Sequence, residues 1–121
     1  MPDDRKAFGQ KGESAAISFL QANGFNILET NFRTRAAEID IIAKDHETLC
    51  FVEVKTRRNI NKGFPKESVT VSKQNKIILG ATFYLKKNRL MESKIRFDVI
   101  EVLEKNGRLE FNLIKNAFRT R

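Results

Sequence analysis

The stretch 38-EIDIIAKDHETLCFVEVKTR-57 decides the fold and raises the functional question at the same time. It reads as two apolar strands, 38–44 and 48–56, joined by a polar turn. Side chains alternate faces along a strand, so Leu49, Phe51, Glu53 and Lys55 share one face and Cys50, Val52 and Val54 the other. Both faces begin apolar, which predicts a central strand. In the first strand Glu38, Asp40 and Ile42 share a face, and Ile39 and Ile41 take the other. Burying an unpaired charge is expensive, and strands that will be buried normally exclude it. Glu38, Asp40, Glu53 and Lys55 break that rule.

The antiparallel register decides whether these charges meet. Pairing Asp40 with Glu53 also pairs Asp45 with Thr48, and a slip of one residue would send the two carboxylates to opposite faces. His46-Glu47 is poor chemistry for a two-residue hairpin loop, so a four-residue loop, with pairing ending at Lys44–Leu49, is predicted. In this register Asp40, Glu53 and Lys55 converge at one end of the sheet. Two carboxylates held together repel, and a divalent cation, Mg²⁺ or Mn²⁺, would relieve the repulsion and gain hard oxygen ligands. Such an ion activates water and stabilises charge on a phosphodiester. Lys55 would then orient the attacking water or neutralise developing charge. The competing reading is a salt bridge of Lys55 with Glu53, Asp40 or Glu38 at a wet strand end.

Outward from this pair, 5–24 reads as a helix with Phe8, Gly12, Ala15, Ala16, Phe19 and Leu20 on one face and a stop at Gly24. Gly12 and the two alanines make that face thin, so a neighbour can approach closely. Residues 25–33 are strand-like. The segment 57–68, "RRNINKGFPKES", reads as a mobile loop. Residues 72–90 form a second helix with Ser72 as N-cap and Ile77, Ile78, Ala81, Tyr84 and Leu85 as its apolar face. "IRFDVIEVL" and "RLEFNLI" flank a "KNG" hairpin turn. The order predicts an α/β sandwich: a mixed sheet of about five strands and two main helices, on opposite faces or both on one. Residues 1–121 read as a single domain.

Bulk properties exclude several classes. Hydrophobic residues make up 40% and charged residues 31%, as in ordinary globular proteins. No apolar run approaches the ~20 residues of a membrane span, and the polar N-terminus lacks a signal peptide's apolar stretch, so a cytoplasmic protein is predicted. The single Cys50 excludes an internal disulfide and a thiolate metal cluster, and one histidine excludes a His-rich metal site. The net charge of +8 is unevenly spread: residues 1–54 carry six Lys/Arg against nine Asp/Glu, and residues 55–76 seven against one. A basic segment beginning where the acidic strand pair ends suits a phosphate backbone.

"EID" followed by "FVEVKTR" resembles the D…(D/E)-X-K signature of the restriction-endonuclease-like PD-(D/E)XK superfamily, with Ile39 where Pro usually precedes the Asp. Across residues 9–102, "GQKGESAAISFLQANGFNILETNFRTRAAEIDIIAKD", "LCFVEVKTR", "GFPKESVTVSKQNKI", "ATFYL" and "RFDVIEV" together resemble the bacterial YraN family of uncharacterised proteins. That family is similar to archaeal Holliday-junction resolvases. The resemblance implies a restriction-endonuclease-like sandwich, with Asp40 and Glu53 at the metal-ligand positions and Lys55 as the catalytic lysine. Glu13, on the first helix, matches an acid that adds to the metal site. Glu38 matches a family acid without an assigned role. The family usually has Gly before "EID"; Ala37 stands here, which bears on any bulge or positive φ at that point. Resolvases act as dimers, so a homodimer is compatible, with the apolar residues of the last strand as a candidate surface.

Lys73, Gln74 and Lys76 open the second helix beside Arg57 and Arg58, so Lys55, Arg57, Arg58, Lys73 and Lys76 are the candidate nucleic-acid contacts. The alternative is a solvated helix end. Asp98 is expected to pair with Arg96 or a lysine, Cys50 to be a small core residue, and His46 a solvated turn residue. Phe64 and Phe83 can stack on unpaired bases or pack against the protein. Three functions stay open. One is a nucleic-acid-binding, nuclease-like protein, a metal-dependent endonuclease on branched DNA, in repair or recombination. The second is a catalytically inactive nucleic-acid-binding module of a larger repair or processing complex. The third is a protein-interaction domain with a structural charge cluster.

Overall fold

The computed structural model describes residues 4–58 and 69–120. Seven elements follow one another: α1 (Asp4–Ala22), β1 (Phe25–Arg33), β2 (Glu38–Asp45), β3 (Thr48–Arg58), α2 (Val71–Lys87), β4 (Ile95–Lys105) and β5 (Arg108–Phe118). The strands form one sheet in the order β1-β2-β3-β4-β5. β3 and β4 are parallel and the other neighbours antiparallel. The connection between the parallel strands carries α2, as parallel pairs require. The predicted α/β sandwich with a five-stranded mixed sheet and two helices is therefore the observed one. Most of the predicted 57–68 loop lies outside the described residues, and Arg57 and Arg58 complete β3.

The helices take opposite faces. Ile77, Ala81, Tyr84 and Leu85 of α2 pack with Ile39, Ile42, Leu49, Phe51, Phe97 and Val99. Ala16 and Leu20 of α1 pack with Ile41, Ala43, Cys50, Val52, Ile100 and Val102 on the other face. β3 contributes to both clusters, as its two apolar faces predict. Each fully buried large apolar side chain stabilises by about 1.5–3 kcal/mol. Eleven such residues among those described can therefore support some unfavourable electrostatics elsewhere.

Gly12 is buried, and a Cβ there would collide with the Thr56 side chain. The thin face predicted for α1 thus lets the helix lie against β3 just past Glu53 and Val54. The β2–β3 hairpin has the predicted register, Asp45 opposite Thr48. Its loop is the two-residue His46-Glu47, not the predicted four-residue one: His46 adopts a φ of 56°, the strain expected to disfavour it. The N-cap of α2 is Thr70, whose side chain accepts from the N–H of Lys73, and not Ser72. The "KNG" turn forms as predicted, with Asn106 and Gly107 both at positive φ.

A candidate phosphodiester site where two strands part

Pairing between β2 and β3 stops at Ile41–Val52, one step short of Asp40 and Glu53. Asp40 supplies the missing partner with its side chain: Oδ2 accepts from the Val54 N–H at 2.8 Å. Around this point β2 loses strict alternation, since Ile39 and Ile42 both pack on the α2 face. Asn31 of β1, beside Asp40, takes a φ of 54°. The positive φ therefore falls on Asn31 and not on Ala37. Ala37 lies in a turn closed by Thr34, whose N–H donates to the Ala37 carbonyl at 2.9 Å and whose Oγ1 accepts from the N–H groups of Ala36 and Ala37.

Burial pushes the Asp40 carboxyl up to about 7, and the neighbouring Glu53 pushes the same way. The Val54 N–H opposes them, Glu13 adds a smaller upward push, and Lys73 a downward one. Glu53 is 5% exposed. Its Oε1 lies 3.1 Å from Lys73 Nζ and 3.8 Å from Lys55 Nζ. A lysine in the first turn of a helix opposes the helix dipole, and Glu53 offsets that placement. Among the described residues, Oδ1 of Asp40 and Oε2 of Glu53 make no hydrogen bond or ion pair to protein.

Asp40, Glu53 and Lys55 thus meet as expected. Glu13 lies on α1 in a cleft of about 640 Å³ between α1 and β1. It bears on the charge of Asp40. Among the described residues no three His, Cys, Asp or Glu side chains gather at one point. Lys73 and Lys76 border a pocket of about 270 Å³ together with Asp40, Glu38 and Ala37. Glu38 also pairs with Arg33 at 3.5 Å. Arg57 donates to the Thr56 carbonyl at 3.3 Å. Arg58 turns to α1, its guanidinium 4.1 Å from the Phe8 ring centroid and 3.7 Å from Glu104.

One acid was missed. Glu101 is buried opposite Lys55 in the parallel register. Its Oε1 accepts from Asn112, and its Oε2 has no partner among the described residues. Its alternation with Phe97 and Val99 along β4 was the available signal.

Comparison with known proteins places this chain in a family. Residues 12–102 match the family described as "Uncharacterised protein family UPF0102". A UPF0102 protein of Desulforapulum autotrophicum is 49% identical over 120 residues, covering 99% of each chain. The chain belongs to the UPF0102 family. Another UPF0102 protein, from Chlorobium phaeobacteroides, is 50% identical over 118 residues, covering 93% of this chain and 94% of its own. A third, from Acetivibrio thermocellus, is 48% identical, covering 96% and 94%. UPF0102 is the YraN family that the motifs resemble. No helix of the described residues is long and apolar enough to cross a membrane.

Proposed function

We propose that this UPF0102 protein is a nucleic-acid-binding, nuclease-like protein that hydrolyses phosphodiesters with a divalent cation. The observation that carries this reading is the half-neutralised acid pair: Asp40 raised to about 7 against a buried Glu53. Strained ionisation in a shallow pocket is typical of sites built to hold something charged.

Mg²⁺ or Mn²⁺ fits the donor set. Asp40 and Glu53 would hold the ion, each with one oxygen free of partners among the described residues. Two carboxylates, with water and substrate oxygens completing the shell, is the usual way Mg²⁺ binds. A bound ion would supply an activated water and charge stabilisation at the phosphate. The chain's own groups do the rest. The Val54 N–H fixes the Asp40 carboxylate. Lys55, 19% exposed, stands beside Glu53 to steady the attacking water or the developing negative charge. Lys73 and Lys76 border the same pocket and attract the phosphate backbone.

The test is cleavage of a labelled four-way DNA junction and a linear duplex in Mg²⁺, Mn²⁺ and EDTA. Metal-dependent cutting lost in Asp40→Ala and Lys55→Ala is expected, and the junction-to-duplex ratio gives the substrate preference. Cutting that survives both substitutions would overturn the assignment. One observation favours the inactive-module reading: Lys73 already supplies Glu53 with a positive charge at 3.1 Å. That reading expects salt-dependent binding without cutting in any metal.

A further inference from the structure

A second pocket, of about 350 Å³, lies beside the acid cluster, lined by Phe32, Arg33, Thr34, Arg35, Phe83 and Lys87. No acid lines it. Phe83 is 51% exposed, and Leu79, one turn earlier on α2, is equally so. Phe32 forms the deeper wall: it packs edge-on against Tyr84, and Lys87 Nζ stands 5.8 Å from its ring centroid. Arg33 is paired with Glu38. Arg35 and Lys87 have no ion pair among the described residues.

This pocket and the candidate site are lined by the same two elements, α2 and the β1–β2 connection. Lys73, Lys76, Gly80, Phe83 and Lys87 recur at three- and four-residue spacing, forming one stripe along α2. Lys73 and Lys76 line the pocket of Asp40, while Phe83 and Lys87 line the aromatic one. At Gly80 the helix sits against the β1–β2 turn: a Cβ there would lie 3.4 Å from Ile39 Cδ1 and 3.6 Å from Thr34 Oγ1. The same turn, closed on itself by Thr34, presents Arg35. The aromatic floor and its cationic rim are thus both held by rigid elements, which lowers the ordering cost of binding.

The geometry points to this pocket as the seat of an unpaired nucleobase, stacked on Phe83, in a strand whose phosphates follow Lys87, Arg35 and Lys76 towards Asp40. An aromatic face ringed by cations suits a base flanked by phosphates, because every base offers a π-face and each flanking phosphate a negative charge. The assignment rests on the proposed nucleic-acid binding and adds to it a preference for junctions between paired and unpaired strands.

The test is fluorescence anisotropy in EDTA with two labelled DNAs: a forked duplex with one unpaired arm and a blunt duplex of the same length. Phe83→Ala is expected to weaken binding of the fork by about tenfold, the scale of one lost base–aromatic stack, and to leave the blunt duplex unchanged. Phe83→Tyr, which keeps the π-face, retains fork affinity. A stacking-quenched fluorescent adenine analogue in the unpaired arm should lose its quenching with Phe83→Ala alone. Equal losses on both DNAs, or no loss on the fork, would overturn the base pocket while leaving nucleic-acid binding intact. Wild-type protein that binds neither DNA removes the binding reading and this one together. A wild-type dimer that Phe83→Ala splits, with fork affinity unchanged, assigns the face to a second copy of the chain and overturns the proposal.

Discussion

The two ends of this sheet each bring acids and bases together, and they solve the problem in opposite ways. At one end, Arg96 donates to both oxygens of Asp98, at 2.8 and 3.1 Å from Nε, and to Asp45 at 2.9 Å. Asp98 also accepts from the Asn116 N–H, and Lys115 reaches Asp45 at 3.2 Å. Burial works against the Asp45 carboxylate, but the bonds from Arg96, His46 and Lys115 win and hold it down to about 2. At the other end, Asp40 receives one backbone N–H and two repelling carboxylates, and it rises to about 7. The same kinds of residue give a closed network where every oxygen has a donor, and an open one where repulsion is left standing. Counting charges does not tell the two clusters apart; counting donors does.

The largest expected difference is in stability. Arg96→Ala leaves Asp98, fully buried, without its main partner. Breaking a buried pair from one side costs about 3–5 kcal/mol. Urea midpoints should fall accordingly, and an unchanged midpoint would break the contrast. Asp40→Asn should do the reverse. The folded pKa of about 7 lies above the ordinary 3.8. Between those values the folded state therefore holds the proton more tightly, and this favourable term is lost as pH rises through 7. The neutral amide should stabilise the protein by about 2 kcal/mol at pH 8, a half-buried fraction of the full linkage, and by almost nothing at pH 4. A pH-independent effect would place the cause in packing.

A cation should act on the open end alone. At pH 8, Mn²⁺ at about tenfold its dissociation constant should stabilise wild type by about 1.4 kcal/mol. The gain should shrink at pH 5, where Asp40 is protonated, and vanish in Asp40→Asn. Thermal melts with and without metal decide it, and equal gains in wild type and Asp40→Asn would move the binding elsewhere.

Much of this contrast was legible beforehand. The register of the central hairpin was readable because pairing Asp45 with Thr48 is the one that keeps Asp40 and Glu53 on one face. The convergence of Asp40 with Glu53 came with it, as did the partnership of Asp98 with Arg96, two residues apart on one strand face. What could not be read is what depends on distant chain. Asp45 looks like a turn residue until Arg96, 51 positions later, arrives beside it. The parting of β2 from β3 at Ile41 has no local signature. Asp40 replaces a backbone partner there by a side-chain bond, which no periodicity encodes. The helix cap was misplaced by two residues because Thr70 and Ser72 offer the same chemistry, and only the chain's entry angle chooses between them. The two-residue loop at His46 shows a good strand register overriding turn propensity.

The smallest expected effect separates the two ends most cleanly. Lys73 is 46% exposed at its side chain, so its pair with Glu53 at 3.1 Å contributes little to folding. Lys73→Gln should change stability by less than about 1 kcal/mol. Its charge nevertheless holds the Asp40 carboxyl down. Removing it should move the Asp40 titration above 7, visible as a displaced carboxyl ¹³C transition by NMR, while the Asp45 transition stays in place. If Glu53 is a metal ligand, Lys73→Gln should also tighten Mn²⁺ binding at pH 8, because the lysine and the ion compete for the same carboxylate. If Lys73 is instead a permanent counter-ion in an inactive site, the substitution should leave Mn²⁺ binding undetectable and only shift Asp40. The stability change is nearly the same in both cases, so the metal titration is what distinguishes a site waiting for a cation from one that already carries its own.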